Sequence, residues 1–464
     1  MNSVLNASPT NQLKMESQNH PLNHAVTQPI IQRNIVHGIG GRSTGLLRFA
    51  TAGSVDDGKS TLIGRLLYDS KSLLSDHVTA IEAASRRRGL SEVDLSLLTD
   101  GLIAEREQGI TIDVAYRYFA TPARKFIIAD SPGHAQYTRN MVTAASTADV
   151  AVLLVDASKG LQTQTRRHAY LSRWVGIRRV VLAVNKMDLV DYAQPVFDAI
   201  VSEFRAFASE LTFDHICTIP LSALRGDMVV DRGDSLDWYH GPTLLQHLET
   251  VPAANDEHET QFRFAVQRVV RVPRGQGQPG SPFNAEDFRG WQGTVASGSV
   301  RVGDEVVAWS SGLRARIKQI YRLDHEVSSA SADHAVTITL DRELDISRGD
   351  LLCHPDSAPS PQRETRAQVC WFDREPLAPD HAYLIKLGTQ TAKARLSSAH
   401  SRIDVDALGV QQPGGNLAMN DIGTLRISTQ VPLPFEAYAH NRINGSFIVI
   451  DATSKRTVGA GIVV

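Results

Sequence analysis

Residues 53–60 read Gly-Ser-Val-Asp-Asp-Gly-Lys-Ser and match the phosphate-loop pattern G-x-x-x-x-G-K-[ST]. An apolar, strand-like run precedes them at 47–51, and a helix-like run follows at 61–67. Glycines at both ends allow the backbone to wrap around a phosphate, so that N–H groups and the helix N-terminus face its oxygens. In this pattern Lys59 reaches the β- and γ-phosphates and the Ser60 hydroxyl ligates Mg²⁺. The stretch therefore predicts a nucleoside triphosphate site on a strand, a loop and a helix.

A second strand-like run, 126–129, ends in the pentapeptide Asp-Ser-Pro-Gly-His at 130–134. An aspartate at the carboxyl end of a buried parallel strand can hold the hydration shell of Mg²⁺ from the side opposite Ser60. Gly133 can offer its backbone N–H to a γ-phosphate. We therefore expect Asp130 and Gly133 beside the phosphate loop.

Two more strand-like runs lie at 150–155 and 180–184. The first leads to Asp156, and the second to Asn-Lys-Met-Asp at 185–188. The Asp188 carboxylate only accepts hydrogen bonds, so it suits the N1–H and N2–H₂ donors of guanine, whereas adenine has an unprotonated N1 there. The second strand end is therefore predicted to select guanine.

Two further features would complete the base site. Asn185 can tie the loop at 185–188, the base loop, to the phosphate loop. The Ser-Ala-Leu sequence at 222–224 follows a strand-like run at 218–221 and would offer backbone N–H groups to the base. Asp and Asn at strand ends are usually turn or cap residues. All these motifs in this order, each after its own strand, instead favour a guanine-nucleotide-binding domain.

The segment 105–113 reads Glu-Arg-Glu-Gln-Gly-Ile-Thr-Ile-Asp and opens a strand-like run at 114–119. Taken alone, it is typical of a charged helix end followed by a β-branched strand. When the segment is considered together with the other motifs, Thr111 is predicted to ligate Mg²⁺ only when a γ-phosphate orders the segment, as in a nucleotide switch.

The order of motifs, the Gly-Ile-Thr-Ile sequence at 109–112 and the Pro-Gly-His tripeptide at 132–134 resemble translation-factor-type GTPases such as elongation factor Tu. Three segments, 100–119, 134–141 and 287–294, are more narrowly similar to the GTPase (large) subunit of bacterial sulfate adenylyltransferase. The switch segment carries the most specific part of this resemblance.

The resemblance runs from about Leu46 to the C-terminus, and Ser131 departs from it, since threonine is usual there. It implies a GTP-hydrolysing regulatory subunit that couples GTP hydrolysis to the formation of adenosine 5′-phosphosulfate and pyrophosphate from ATP and sulfate. A smaller catalytic subunit is the implied partner, in a heterodimer or higher assembly, and GTP and Mg²⁺ are the implied cofactors. Ser60, Thr111 and Asp130 would hold the metal. The nucleotide-binding residues that the motifs and the resemblance predict together are Gly53, Ser54, Val55, Asp56, Asp57, Gly58, Lys59, Ser60, Thr61, Asp130, Gly133, Asn185, Lys186, Asp188, Ser222, Ala223 and Leu224.

His134 is the candidate catalytic residue. A histidine after Pro-Gly is most often a surface or cap residue. Immediately after the switch glycine, however, its imidazole could reach a water that attacks the γ-phosphorus. Because positioning and electrostatics dominate phosphoryl transfer, orienting that water would be a catalytic contribution.

The composition narrows the class of protein and its expected partners. The net charge of −2 gives no global basic character, so no nucleic-acid partner is expected. Cys217, Cys353 and Cys370 form no metal or redox spacing and are typical of reduced, mostly buried cysteines in a cytoplasmic protein. No apolar run approaches the roughly 18 residues that span a bilayer. The stretch 1–44 lacks an apolar signal region and is predicted to be a flexible tail.

After a composition shift near 250–257 the alternation of helices and strands stops, and short strands with turn residues follow. The predicted fold is an α/β P-loop GTPase domain, with a mostly parallel sheet and helices on both faces, at 45–252. Two small antiparallel β-barrels would follow, at 260–355 and 362–464. The alternatives are a GTPase that carries aminoacyl-tRNA and a stand-alone signalling switch; two further β domains disfavour the latter, since they imply a larger partner surface.

Overall fold

The computed structural model describes residues 45–71, 85, 95, 114–134, 137–253, 261–274, 288–323, 325–404 and 410–464. The predicted tail at 1–44 and the predicted switch at 105–113, with Thr111, lie outside the described residues.

The first part of the chain alternates strands and helices. Its strands are β1 (Leu46–Gly53), β2 (Ala115–Ala120), β3 (Lys125–Asp130), β4 (Val150–Asp156), β5 (Arg179–Asn185) and β6 (His215–Pro220). Its described α-helices are α1 (Lys59–Asp69), α2 (Thr138–Ser146), α3 (Thr163–Trp174), α4 (Gln194–Ala208) and α5 (Leu244–Thr250). Short 3-10 helices occur at Met187–Val190 and Ser209–Leu211.

These six strands form one sheet in the order β2-β3-β1-β4-β5-β6. Neighbours pair in parallel except at the edge, where β2 runs antiparallel to β3. In this register Thr51 lies opposite Asp130, and Asp156 lies opposite Asn185. Since parallel strands end at the same edge, the sheet brings the predicted polar residues to one side of the domain.

Helices cover both faces of this sheet. Successive side chains of a strand point to opposite faces, and here the side chains on both faces are apolar and need to be buried. Val152 packs in a core with Leu66 of α1 and Leu248 of α5. The next residue, Leu153, packs in the opposite core with Leu171 of α3. Each such burial contributes about 1.5–3 kcal/mol. The predicted α/β class is confirmed.

A second sheet follows, with strands β7 (Arg263–Val272), β8 (Phe288–Ser297), β9 (Ser299–Arg301), β10 (Glu305–Ala308), β11 (Arg314–Arg322), β12 (His325–Val327), β13 (Ser329–Ser331), β14 (Ala335–Leu340) and β15 (Leu351–Cys353). Its order is β10-β15-β7-β8-β14-β11-β12, and an added pairing of β10 with β11 closes six strands into a barrel. Strands β9 and β13 pair separately. Trp291 is 1% exposed in the barrel core.

The third sheet contains β16 (Gln362–Trp371), β17 (Tyr383–Leu387), β18 (Gln390–Leu396), β19 (Ala399–Asp404), β20 (Val410–Gly415), β21 (Ile422–Leu433), β22 (Ser446–Asp451) and β23 (Thr457–Val463). Its order is β16-β23-β22-β17-β18-β21-β19-β20, and pairing of β16 with β21 closes six of these strands. Both predicted barrels are confirmed as a fold class. Each sheet lies within one of the predicted domain ranges, whose exact limits stay predictions.

The two barrels are joined by a buried ion pair. The Arg263 guanidinium is fully buried and donates to both carboxylate oxygens of Glu436, at 3.0 and 2.7 Å. The first domain contacts the second barrel through the end of α3, where Trp174 Nε1 donates to Gln368 Oε1 at 3.1 Å.

Cys217, Cys353 and Cys370 are free thiols, as predicted. Burial raises the pKa of Cys370 to about 12, so its thiol stays protonated near neutral pH. Across the part of the chain that the structure describes, no helix is long and apolar enough to cross a membrane.

Candidate nucleotide-binding site

The phosphate loop joins β1 to α1, and Gly58 is the N-cap residue immediately before α1. Its φ of +90° lies in the left-handed region that side chains other than glycine rarely adopt. A Cβ at this position would overlap Nδ2 of Asn185. Glycine is therefore needed here both for the turn and for the close approach of the Asn185 side chain.

The interior of the loop is hydrogen-bonded to itself. Asp57 is 1% exposed, and its Oδ2 accepts from the Ser54 N–H at 2.6 Å. Lys59 Nζ donates to the carbonyls of Gly53 and Ser54, at 3.1 and 2.8 Å. Burial lowers the pKa of Lys59, although Asp130 and Asp57 oppose the shift. The N–H of Ser54, one of the predicted nucleotide-binding residues, thus already has a protein acceptor.

The other predicted phosphate residues lie on the same connection. Val55 and Asp56 are exposed on the loop, and Asp56 also has a positive φ, of 66°. Ser60 and Thr61 are partly buried in the first turn of α1.

The carboxylate predicted to face the metal is buried at the end of β3. Asp130 is 2% exposed, and its Oδ1 accepts from the Thr51 hydroxyl at 3.2 Å. The Ser131 hydroxyl donates to the Thr51 carbonyl at 2.5 Å. Because the hydroxyl makes this bond, Ser131 supplies the donor that the expected threonine would also have offered.

The residues at this edge of the sheet suit Mg²⁺. Asp130 and Ser60 offer a carboxylate and a hydroxyl oxygen, which are hard ligands. Within the described ranges, no three His, Cys, Asp or Glu side chains cluster as a metal cage. A small protein donor set of this kind is typical of Mg²⁺ held mainly by water and phosphate oxygens. Thr111, the third predicted ligand, lies outside those ranges.

Gly133 approaches the phosphate loop closely. A Cβ there would lie 2.6 Å from Lys59 Nζ and 2.8 Å from the Gly53 carbonyl oxygen. His134 follows it, is exposed, and meets Tyr137 edge to face, with 6.2 Å between ring centroids. A cavity of about 360 Å³ lies beside it. The cavity is lined by Ser54, Val55, Gly133, His134, Lys159, Gln162 and Gln164.

The two halves of the site are joined by Asn185, which is 1% exposed. Its Nδ2 donates to the Asp57 carbonyl at 2.8 Å, and its Oδ1 accepts from the Ala223 N–H at 2.9 Å. Asn185 thus ties the phosphate loop to the base loop at 185–188 and to a second base loop at 222–224. The sequence predicts the first of these two ties.

The base loop holds its polar groups in fixed positions. Asp188 Oδ1 accepts from the Ser222 hydroxyl at 2.6 Å. Lys186 has a φ of +62°, and its Nζ donates to Asp156 Oδ2 at 2.8 Å. Burial by itself raises the pKa of Asp156, but hydrogen bonds from Lys186 and Ser158 outweigh it, so the pKa is lowered and the group is ionised.

Two of the backbone N–H groups in the predicted lip have protein acceptors in this structure. The Ser222 N–H donates to the Asp227 carbonyl at 3.2 Å, and the Ala223 N–H donates to Asn185. Ser222 instead contributes its hydroxyl, through Asp188. Leu224 is half exposed at the rim of the same loop.

Two supporting residues were missed by sequence reasoning. Asp156 was recognised only as a strand end, and its place opposite Asn185 became visible only in the strand register. Arg65 of α1 donates to the carbonyls of Ala223 and Leu224 and so supports the second base loop. No motif marks Arg65, because its partners lie about 160 positions away in the sequence.

Two family models match the chain. The model described as "Elongation factor Tu GTP binding domain" matches residues 44–254, and the model described as "GTP-eEF1A C-terminal domain-like" matches residues 364–464. With the parallel sheet, the phosphate loop and the closed β-sheets, these matches define the class as elongation factor Tu-like GTP-binding proteins.

Relatives that are about half identical to this chain over most of their length identify the family within this class. Sulfate adenylyltransferase subunit 1 of Chromobacterium violaceum is 50% identical over 422 residues, which cover 90% of this chain and 86% of that protein. The subunit 1 of Shewanella woodyi is 48% identical over 420 residues, covering 90% and 87%. The chain belongs to the sulfate adenylyltransferase subunit 1 family, which confirms the predicted family.

Other relatives are longer. The bifunctional enzyme NodQ of Rhizobium sp. (strain N33) is 48% identical over 420 residues, and the matched region covers 90% of this chain but 63% of that protein. The chain therefore spans less than two thirds of this relative.

Proposed function

We propose that this chain is the GTP-hydrolysing regulatory subunit of a sulfate adenylyltransferase. It would couple GTP hydrolysis to the formation of adenosine 5′-phosphosulfate and pyrophosphate from ATP and sulfate. The joining of sulfate to the AMP part of ATP would take place on a smaller partner subunit, and the two subunits would form a heterodimer or a higher assembly.

The observation that carries the GTP assignment is the position of Asn185. Its two hydrogen bonds join the phosphate loop at Asp57 and the base loop at Ala223. The same base loop holds the Asp188 carboxylate, which only accepts hydrogen bonds and so fits guanine. Membership of the sulfate adenylyltransferase subunit 1 family supports the wider assignment.

Each part of the site has a proposed task. The predicted phosphate residues, with Lys59, would bind the triphosphate, and Ser60, Asp130 and Thr111 would hold Mg²⁺, which neutralises phosphate charge when it is bound. Asn185, Lys186 and Asp188, with residues 222–224, would bind the base.

His134 has the proposed catalytic task. It is exposed beside Gly133, at the wall of the 360 Å³ cavity. From there its imidazole would orient the water for in-line attack on the γ-phosphorus, so its contribution would be positional.

Coupling needs a difference between the two nucleotide states. A nucleotide can shift the partner's reaction only if its GTP- and GDP-bound forms contact the partner differently. Thr111 is the proposed sensor, since its hydroxyl would engage the metal only with a γ-phosphate present.

The alternative is an elongation factor Tu-like GTPase that carries aminoacyl-tRNA. The match that supports it is to a GTP-binding domain shared across the class. No feature of the described residues favours this function over the first.

The test uses the purified full chain with and without the smaller subunit. Alone, the chain should hydrolyse GTP slowly and make no adenosine 5′-phosphosulfate. With the smaller subunit, ATP and sulfate added, GTP hydrolysis should rise, and the product yield should exceed that of the smaller subunit alone.

Two controls sharpen the result. GDP in place of GTP, or a Thr111→Ala variant, should abolish the coupling, and Lys59→Ala should weaken triphosphate binding itself. Adenylyl transfer by the isolated chain, or full stimulation by GDP, would disprove the proposed function. Retention of aminoacyl-tRNA by the GTP-bound chain would support the alternative.

A further inference from the structure

Helix α3 carries a polar pair that the proposed function does not yet use. Gln164 and His168 are four residues apart, so they lie on the same side of the helix, one turn from each other. Gln164 is partly buried and lines the cavity that also contains Gly133 and His134. His168 is 1% exposed.

The two side chains are joined by a hydrogen bond of 2.9 Å between Gln164 Nε2 and His168 Nε2. Burial lowers the pKa of His168 to about 3, and the charges of Lys59 and Arg167 add to the shift. The imidazole is therefore neutral near pH 7. An amide nitrogen only donates, so His168 Nε2 accepts and the ring proton is on Nδ1.

This arrangement is costly for the fold. His168 Nδ1 is buried and has no hydrogen-bond partner among the residues that the structure describes. Buried polar atoms without partners are rare, and each one calls for an explanation. An apolar side chain would fill the same space under α3 without this cost, so stability alone does not account for a histidine here.

The hydrogen bond fixes the direction of the Gln164 amide. Its nitrogen is directed at His168, so its oxygen is at the other end of the amide. Within the described ranges no hydrogen-bond donor engages that oxygen. Gln164, whose amide is held at its nitrogen by His168, and the exposed His134 both line this cavity.

We propose that Gln164 is a positioning residue for GTP hydrolysis, and that His168 holds its amide so that the carbonyl oxygen accepts a hydrogen bond from the attacking water. This inference rests on the proposed function. In the reaction, the water oxygen forms a bond to the γ-phosphorus and the bond from the γ-phosphorus to the bridging oxygen breaks. The bridging oxygen keeps the bonding electron pair and stays with GDP. Both protons of the water leave with the product as dihydrogen phosphate, and Gln164 neither gains nor loses a proton.

The test measures the single-turnover rate of GTP cleavage and the dissociation constant for GDP with the full chain. Gln164→Ala should slow cleavage about 10- to 100-fold, because small losses of alignment have effects of this size. Its dissociation constant for GDP should stay within about threefold of wild type, since the interaction acts on the water. A merely structural role would change both quantities.

His168 is tested by rescue. His168→Leu fills the space but removes the hydrogen bond, and it should slow cleavage as Gln164→Ala does. His168→Gln restores a polar partner for the amide and should recover part of the rate. In a Gln164→Ala background, His168→Leu should have no further effect, because both changes remove the same unit.

Gln162→Ala is the matched control. Gln162 lines the same cavity but is exposed, and its amide donates to the Lys159 carbonyl. This variant should cleave GTP at the wild-type rate. Equal slowing by Gln162→Ala, additive effects in the double variant, or an unchanged rate in Gln164→Ala would overturn the inference. A wild-type chain that does not cleave GTP would instead overturn the proposed function, and this inference with it.

Discussion

Replacing Asn185 by alanine should weaken nucleotide binding strongly while leaving the three sheets folded. The side chain is 1% exposed and makes two hydrogen bonds, to the Asp57 carbonyl at 2.8 Å and from the Ala223 N–H at 2.9 Å. Truncation leaves a buried carbonyl and a buried N–H without partners, at a cost of about 1–3 kcal/mol each. The total is about 2–6 kcal/mol.

The expected loss of affinity lies in the lower half of that range. The space vacated by the side chain can admit a water molecule, which would pair with part of the freed backbone. About 2–4 kcal/mol transferred to the binding step corresponds to a dissociation constant roughly 30- to 1,000-fold higher. The effect falls on binding because the nucleotide must then order two loops that Asn185 otherwise holds together.

The measurement is an equilibrium titration of fluorescent GDP with the purified chain, alongside thermal unfolding. Asn185→Asp serves as a second variant. It keeps the acceptor for Ala223 but turns an oxygen toward the Asp57 carbonyl, so it should weaken binding at least as much. Asn416→Ala, at an exposed position in the third sheet region, is the matched control and should bind normally. GDP affinity within threefold of wild type in Asn185→Ala would refute the reasoning.

The remaining predictions concern the base, the reaction and stability. Asp188→Asn should weaken GTP binding and improve XTP binding in competition titrations, because xanthine has a carbonyl at C2 that accepts from the new amide; unchanged GTP affinity would contradict the base site. His134→Ala should leave the dissociation constant for GTP nearly intact but slow cleavage in single-turnover assays, and equal cleavage rates would remove its proposed task. Glu436→Gln leaves the buried Arg263 without its counter-charge and should lower the free energy of unfolding by about 3 kcal/mol in denaturant titrations; an unchanged midpoint would argue against a stabilising role of this ion pair. Burial, and to a lesser extent the charge of His215, lowers the pKa of His247 to about 4, so the unfolded chain binds a proton near pH 6.5 and the folded chain does not. As the pH is lowered from about 6.5 to 4, the free energy of unfolding should therefore decrease, by up to about 1.4 kcal/mol per pH unit from this group. In a His247→Leu variant the free energy of unfolding should depend less steeply on pH over this range.

The nucleotide domain could be predicted from the sequence because its information is local. Each strand of a parallel sheet covered on both faces is a short continuous apolar run. The run at 180–184 became β5 (Arg179–Asn185), and its polar end carries the base loop. Since parallel strands end at one edge, the order of motifs along the chain was enough to predict that Asn185 lies close to the phosphate loop.

The hydrogen bonds inside the site were less accessible. Lys186 pairs with Asp156 thirty residues earlier, and the Ser54 N–H pairs with Asp57 instead of remaining open. Both depend on rotamers and on backbone angles such as the positive φ of Lys186. A pattern of residue types contains the donors and acceptors but does not say which of several acceptors a donor meets.

The β-barrels mark the limit of local reasoning in another way. Gly298, with a φ of +66°, joins β8 to β9 within the region where the sequence predicts short strands and turn residues. The pairing of β16 with β21, by contrast, joins Ala367 to Leu425 across more than fifty residues. Open strand edges expose unpaired N–H and C=O groups, and closing a barrel removes them. A strand's existence is therefore decided by its own side chains, whereas its partner is decided by the closure of the whole sheet.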